Sequence, residues 1–158
     1  MNRRSPRVAQ TGPSLPLDFE AFLTQWHQPF LRLALQSLTS TAAAEQAVLH
    51  AAALIYCHWD RLLAETSPAL AALDILDDVL AGRPRNRTVS PLQAALDDLE
   101  SRSPIQARCV RLRHLANLSY ENVASTLNIE LGAAKAHTWA GLRHLSTQLE
   151  LHQTGTTL

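Results

Sequence analysis

The stretch LSYENVASTLNIELGAAKAHTWAGLRHL, from Leu118 to Leu145, constrains this chain more than any other. Ser119 can cap a short helix by accepting a backbone N–H bond. Val123, Ala124 and Leu127 follow on one face. Asn128 tolerates the left-handed conformation used at helix ends, so it predicts the exit. Ile129 plugs the corner, and Gly132 opens a second, longer helix whose first turns carry Ala133, Ala134, Lys135, Ala136 and His137. Two helices joined by so tight a turn form a helix-turn-helix, which offers the start of its second helix to the DNA major groove.

The rest of the chain also alternates between helical stripes and stops, with no strand pattern and no internal repeat. Residues 17–38 place Phe19, Phe22, Leu23, Trp26, Phe30, Leu33, Ala34 and Leu38 at near-helical spacing. Pro29 within them predicts a bend or a split. A helix over 42–63 carries Ala47, Val48, Ala51, Leu54, Ile55 and Trp59 on its apolar stripe. Ser67–Pro68, Ser90–Pro91 and Ser103–Pro104 repeat one start device, Ser as cap and Pro in the first turn. They open helices at 68–80, 91–100 and 104–116; in the last, Ile105, Cys109, Leu112 and Leu115 face inward.

The fold expected is all-α: two small helical domains, 17–81 and 91–150, joined by a short linker at 82–90. Gly82 ends a helix there and Pro84 blocks its restart. Residues 1–16, rich in Pro and Arg, are expected to be a disordered tail, and 151–158 to fray.

Charge narrows the function. Lys plus Arg and Asp plus Glu both number 14, so net charge gives no support for nucleic-acid binding. Its distribution is more telling than the total. Residues 18–80 carry two Arg against eight acids, whereas 102–145 carry six basic residues against two acids. Asp77–Asp78 and Asp97–Asp98 are adjacent pairs, which diverge on a helix rather than converge on a substrate. With no nucleophile–base spacing or phosphate loop, no catalytic residue and no cofactor are expected. Cys57 and Cys109 lack metal-ligand spacing, and His50 with Cys57–His58 reads as ordinary helix surface, so no metal is expected either. No apolar run approaches the roughly 20 residues of a membrane span, and no apolar segment follows the basic start MNRRSPRVAQ. A cytoplasmic protein is the expectation.

The C-terminal half resembles region four of bacterial sigma factors of the extracytoplasmic-function type. Pro104, Arg108, Leu112, Arg113, Leu118, Ser119, Tyr120, Val123, Ala124, Leu127, Ile129, Gly132, Lys135, Leu142 and Leu145 match that pattern in order, over about fifty residues. More faintly, DFEAFLTQWHQPFLRLAL and AAAEQAVLHAAALIYCHW resemble the opening helix and the polymerase-binding segment of region two. The chain departs from the family at Asn122, Ala133–Ala134, Ala136–His137 and Ala140, and residues 68–80 carry three Asp and no aromatic.

The resemblance implies a protein that directs RNA polymerase core to promoter double-stranded DNA by reading the −35 element. Lys135, His137, Thr138 and Trp139 would contact DNA, and Arg111, Arg113 and Arg143 would reach phosphates. Glu45, Gln46 and Leu49 would meet polymerase, and an anti-sigma or other regulatory protein is a further partner. Two local points stay open: Trp139 contacts DNA or packs on the helix 104–116, and Arg108 is a candidate ion-pair partner of Glu121. The alternative function is a sigma-like regulator that works through protein contacts with little or no DNA binding.

Overall fold

Serine hydroxyls set half of the α-helix starts. In the computed structural model, which describes residues 16–84 and 90–156, Ser40, Ser67, Ser90 and Ser119 each accept a backbone N–H three residues on, at 3.1–3.2 Å. Ser103 precedes its helix without such a bond. The helices are α1 Leu17–Ser37, α2 Thr41–Cys57, α3 Trp59–Leu63, α4 Pro68–Ala81, α5 Pro91–Arg102, α6 Pro104–Val110, α7 Tyr120–Leu127 and α8 Leu131–Thr156. Among the described residues there is no strand. The expected tail at 1–16 lies, but for Pro16, outside the described residues, as do linker positions 85–89 and the last two residues.

Three local expectations change. Pro29 does not split its helix: α1 runs through it, with Pro29 buried. The helix around it is packed on both sides of the proline, where the Trp26 and Phe30 rings lie 5.6 Å apart. The expected helix 42–63 instead breaks at His58 (φ −112°, ψ 17°) into α2 and α3. That turn delivers Trp59 into contact with Phe19 and Phe22, at ring separations of 5.2 and 5.3 Å. The segment after Glu150 does not fray at once, because α8 continues to Thr156.

The helix that starts at Pro104 ends in a π-helical segment, Arg111–Leu115. Its wider turn is closed by the Ala116 N–H donating to the Arg111 carbonyl at 2.8 Å. Asn117 then takes a left-handed φ of 62° and swings the chain into α7.

The apolar interior forms two clusters. The larger draws Phe30, Ile55 and Leu76 from the N-terminal half together with Cys109, Leu112, Val123, Leu127 and Ala134 from the C-terminal half. The smaller joins Ala95, Leu96, Leu99, Ala107, Val110 and Leu145. The two halves therefore share one core across the boundary drawn at 82–90. Polar contacts also cross it: the Ser67 hydroxyl donates to the Thr126 carbonyl, and Arg108 pairs with Asp74 at 2.7 Å.

Candidate nucleic-acid interface

The helix-turn-helix is built from α7, a three-residue corner and α8. Helix α7 buries Val123, Ala124, Thr126 and Leu127. Asn128 ends it in the left-handed region (φ 55°, ψ 48°), and the Ile129 N–H returns to the Ala124 carbonyl at 3.0 Å. This six-to-one bond satisfies a carbonyl that the helix end would otherwise leave open. The Ala134 N–H donates to the Glu130 carbonyl at 2.9 Å and starts α8.

Helix α8 turns Ala134, Thr138, Gly141 and Leu145 inward. Gly141 escaped the sequence reading. A Cβ there would lie 2.6 Å from Val110 Cγ2 and 3.2 Å from the Gln106 carbonyl oxygen, so α8 crosses α6 at backbone distance. Its signal was available, since a glycine inside a helix costs about 1 kcal/mol against alanine and usually has a packing reason.

The candidate DNA contacts separate into three groups. Lys135, Trp139 and Arg143 lie on the exposed face of α8, whereas His137, two residues from Lys135 and from Trp139, is half-buried on a different side of the helix. Trp139 keeps 65% of its surface, so it is not packed on α6. Arg143 makes no side-chain ion pair among the described residues. Thr138 belongs elsewhere: it is fully buried and its hydroxyl donates to the Ala134 carbonyl at 2.8 Å. A residue next to an exposed one is rotated about 100° around the helix, and here that step carries it into the core.

The two remaining arginines are engaged by the fold. Arg113 stacks over the Tyr120 ring at 4.9 Å, and its Nη1 donates to the Leu118 carbonyl at 3.4 Å. The Lys135 ammonium reaches the same ring at 5.9 Å, so Tyr120 gathers both cations. Arg111 points the other way, into a cleft of about 310 Å³ between the halves. It meets Glu100 at 3.3 Å and Asp97 at 3.8 Å. Arg108 lines that cleft too, and its partners are Asp74 and Asp77 rather than Glu121. Desolvation at the cleft raises the Asp77 carboxyl above its ordinary value, against the pull of Arg108 and Arg111. Asp77 still keeps 56% of its side-chain surface, so this shift carries little weight for stability.

The candidate polymerase contacts Glu45, Gln46 and Leu49 share the exposed face of α2, where Leu49 keeps 71% of its surface. Among the described residues no three His, Cys, Asp or Glu side chains are grouped to hold a metal ion, and no helix is long and apolar enough to cross a membrane. Cys109 is buried, which raises its thiol above the ordinary value while the Thr138 hydroxyl pulls the other way. Its thiolate, the reactive form, is correspondingly disfavoured. His114 is lowered by desolvation and then by the neighbouring Arg113.

No protein-family model matches the chain, and no curated protein matches its sequence. The site supplies an exposed helix end with two outward cations around an indole, and a second exposed helix face with an acid, an amide and a leucine.

Proposed function

We propose that this chain is a divergent sigma-type factor acting in DNA-templated transcription initiation. It lays α8 against the −35 element of promoter DNA and docks on RNA polymerase core through Glu45, Gln46 and Leu49 of α2. The observation that carries the proposal is the left-handed corner at Asn128, closed by the Ile129–Ala124 bond, which leaves the face of Lys135, Trp139 and Arg143 uncovered. Arg113 supports the base of that face through Tyr120. Such a protein works in the cytoplasm, with an anti-sigma or similar protein as its regulator.

The test is a purified transcription system. The full chain and core polymerase should yield run-off product from a promoter template, and Lys135→Ala should reduce it. Glu45→Ala and Gln46→Ala should weaken polymerase binding without weakening duplex binding.

A second reading is favoured by the engagement of Arg108 and Arg111 with acids of the same chain. Cations held this way contribute little to phosphate attraction, the main source of non-specific affinity. On that reading the protein is a sigma-like regulator working through protein contacts. It would bind polymerase or another regulator, retain no duplex at low salt and give no run-off product.

A further inference from the structure

Helix α8 presents outward two cations that can hydrogen-bond to guanine, but no side chain of the kind that pairs with adenine or cytosine. Its exposed face runs Gly132, Lys135, Ala136, Trp139 and Arg143. Lys135, Trp139 and Arg143 stand one turn apart, about 6 Å along the axis at each step. The two cations are thus separated by about 12 Å along the helix axis, with Trp139 midway between them. On a helix laid along the groove, the indole and the Ala136 methyl can face the floor while the long, flexible Lys135 and Arg143 side chains extend to the phosphates beside it.

On that floor, hydrogen-bond donors and acceptors distinguish most bases, and the thymine C5-methyl is the feature that an apolar group reads. Asn, Gln, Glu and Asp, the side chains that pair with adenine and cytosine, are missing from the outward positions 132–143. Trp139 has no role inside the protein, with 65% of its surface exposed and no ring partner among the described residues.

We infer that the DNA-facing surface of α8 selects thymine-containing sites by apolar contact of Trp139 and Ala136 with thymine methyl groups, with Lys135 and Arg143 holding the flanking phosphates. This inference rests on the proposed DNA binding and names what is read there.

The experiment uses the full chain and a random 20-base-pair duplex pool selected at low salt. Enriched sequences are then prepared with thymidine or with deoxyuridine, which pairs identically but lacks the methyl. The expected result is enrichment of thymine, with deoxyuridine duplexes bound about fourfold more weakly for each methyl buried. Trp139→Ala should lower affinity for thymine duplexes and erase the difference, whereas Trp139→Phe should keep part of it. Lys135→Ala should weaken both duplexes alike and make the salt dependence shallower by about one phosphate contact. Because Trp139 is exposed, its substitution leaves the fold intact, which circular dichroism checks. Equal binding of the two duplexes overturns methyl reading and leaves DNA binding standing. Equal loss for both in Trp139→Ala also overturns it, and assigns the ring to stacking. Retention of no duplex from the pool sinks both this inference and the DNA-binding proposal.

Discussion

The Arg108 guanidinium sits 2.7 Å from the Asp74 carboxylate, joining α6 to α4 across 34 positions of sequence. Each side chain keeps part of its surface, 31% for Arg108 and 56% for Asp74, so solvent screens the pair. A double-mutant cycle on Arg108→Ala and Asp74→Ala should give a coupling below about 1 kcal/mol. It should shrink further in molar salt, as chemical denaturation of the four proteins would measure. A larger, salt-insensitive coupling would mean that the shared core depends on this pair.

Ser67 makes two bonds at once, accepting from the Leu70 N–H and donating to the Thr126 carbonyl. Ser90 only caps its helix. Ser90→Ala should therefore cost about 1 kcal/mol. Ser67→Ala should cost more by a further 0.5–1.5 kcal/mol or so, because the link to α7 goes with the cap. Urea midpoints of the two variants compare them directly; equal losses would show that the bond between the halves contributes nothing.

Gly141 marks where α8 meets α6. Its replacement by alanine forces a Cβ to within 2.6 Å of Val110 Cγ2 and should destabilise by about 1–3 kcal/mol despite alanine's higher helix propensity. Adding Val110→Ala should recover part of that loss, since it removes the nearest obstacle while the Gln106 carbonyl stays. A stabilised Gly141→Ala protein would contradict the close crossing.

Asp98 bonds to His144 at 2.8 Å and to Arg102 at 3.2 Å. The His144 bond, then that of Arg102, lowers its carboxyl below the ordinary 3.8. A carboxylate with a depressed folded value stabilises above its unfolded value, and that contribution disappears as pH falls through the folded value. Wild type should therefore melt above Asp98→Asn at about pH 6, and the gap should close once the pH drops well below 3.8. His144→Ala should remove more of the pH dependence than Arg102→Ala. A gap that persists at low pH would assign it to packing.

Arg111 is restrained by Glu100 and Asp97. If it serves phosphate as the resemblance implies, Glu100→Gln should raise low-salt duplex affinity by up to about fivefold, the weight of one partly exposed ion pair. Unchanged binding would make Arg111 a structural residue of the cleft and would strengthen the protein-contact reading.

Local chemistry carried much of this fold before any tertiary contact was known. Ser67, Ser90 and Ser119 mark helix starts because each hydroxyl accepts an otherwise unpaired N–H of the first turn, and Asn128 takes the left-handed corner because its side chain tolerates it. The break at His58 and the unbroken run through Pro29 were not legible, since each is decided by where Trp59, Trp26 and Phe30 find ring partners. The same holds for the candidate site, where the resemblance grouped Thr138 with Trp139.

The sequence by itself determined that the chain is helical, where most helices begin and which residues form its apolar stripes, because those properties depend on neighbours within a turn or two. Only the tertiary structure decided which cations remain free. Arg108 and Arg111 find their acids on α4 and α5, Thr138 turns inward and Trp139 outward, and Gly141 accepts α6 at backbone distance. Periodicity defines a face, but the partner that covers it comes from distant parts of the chain, and that pairing leaves no mark in local spacing.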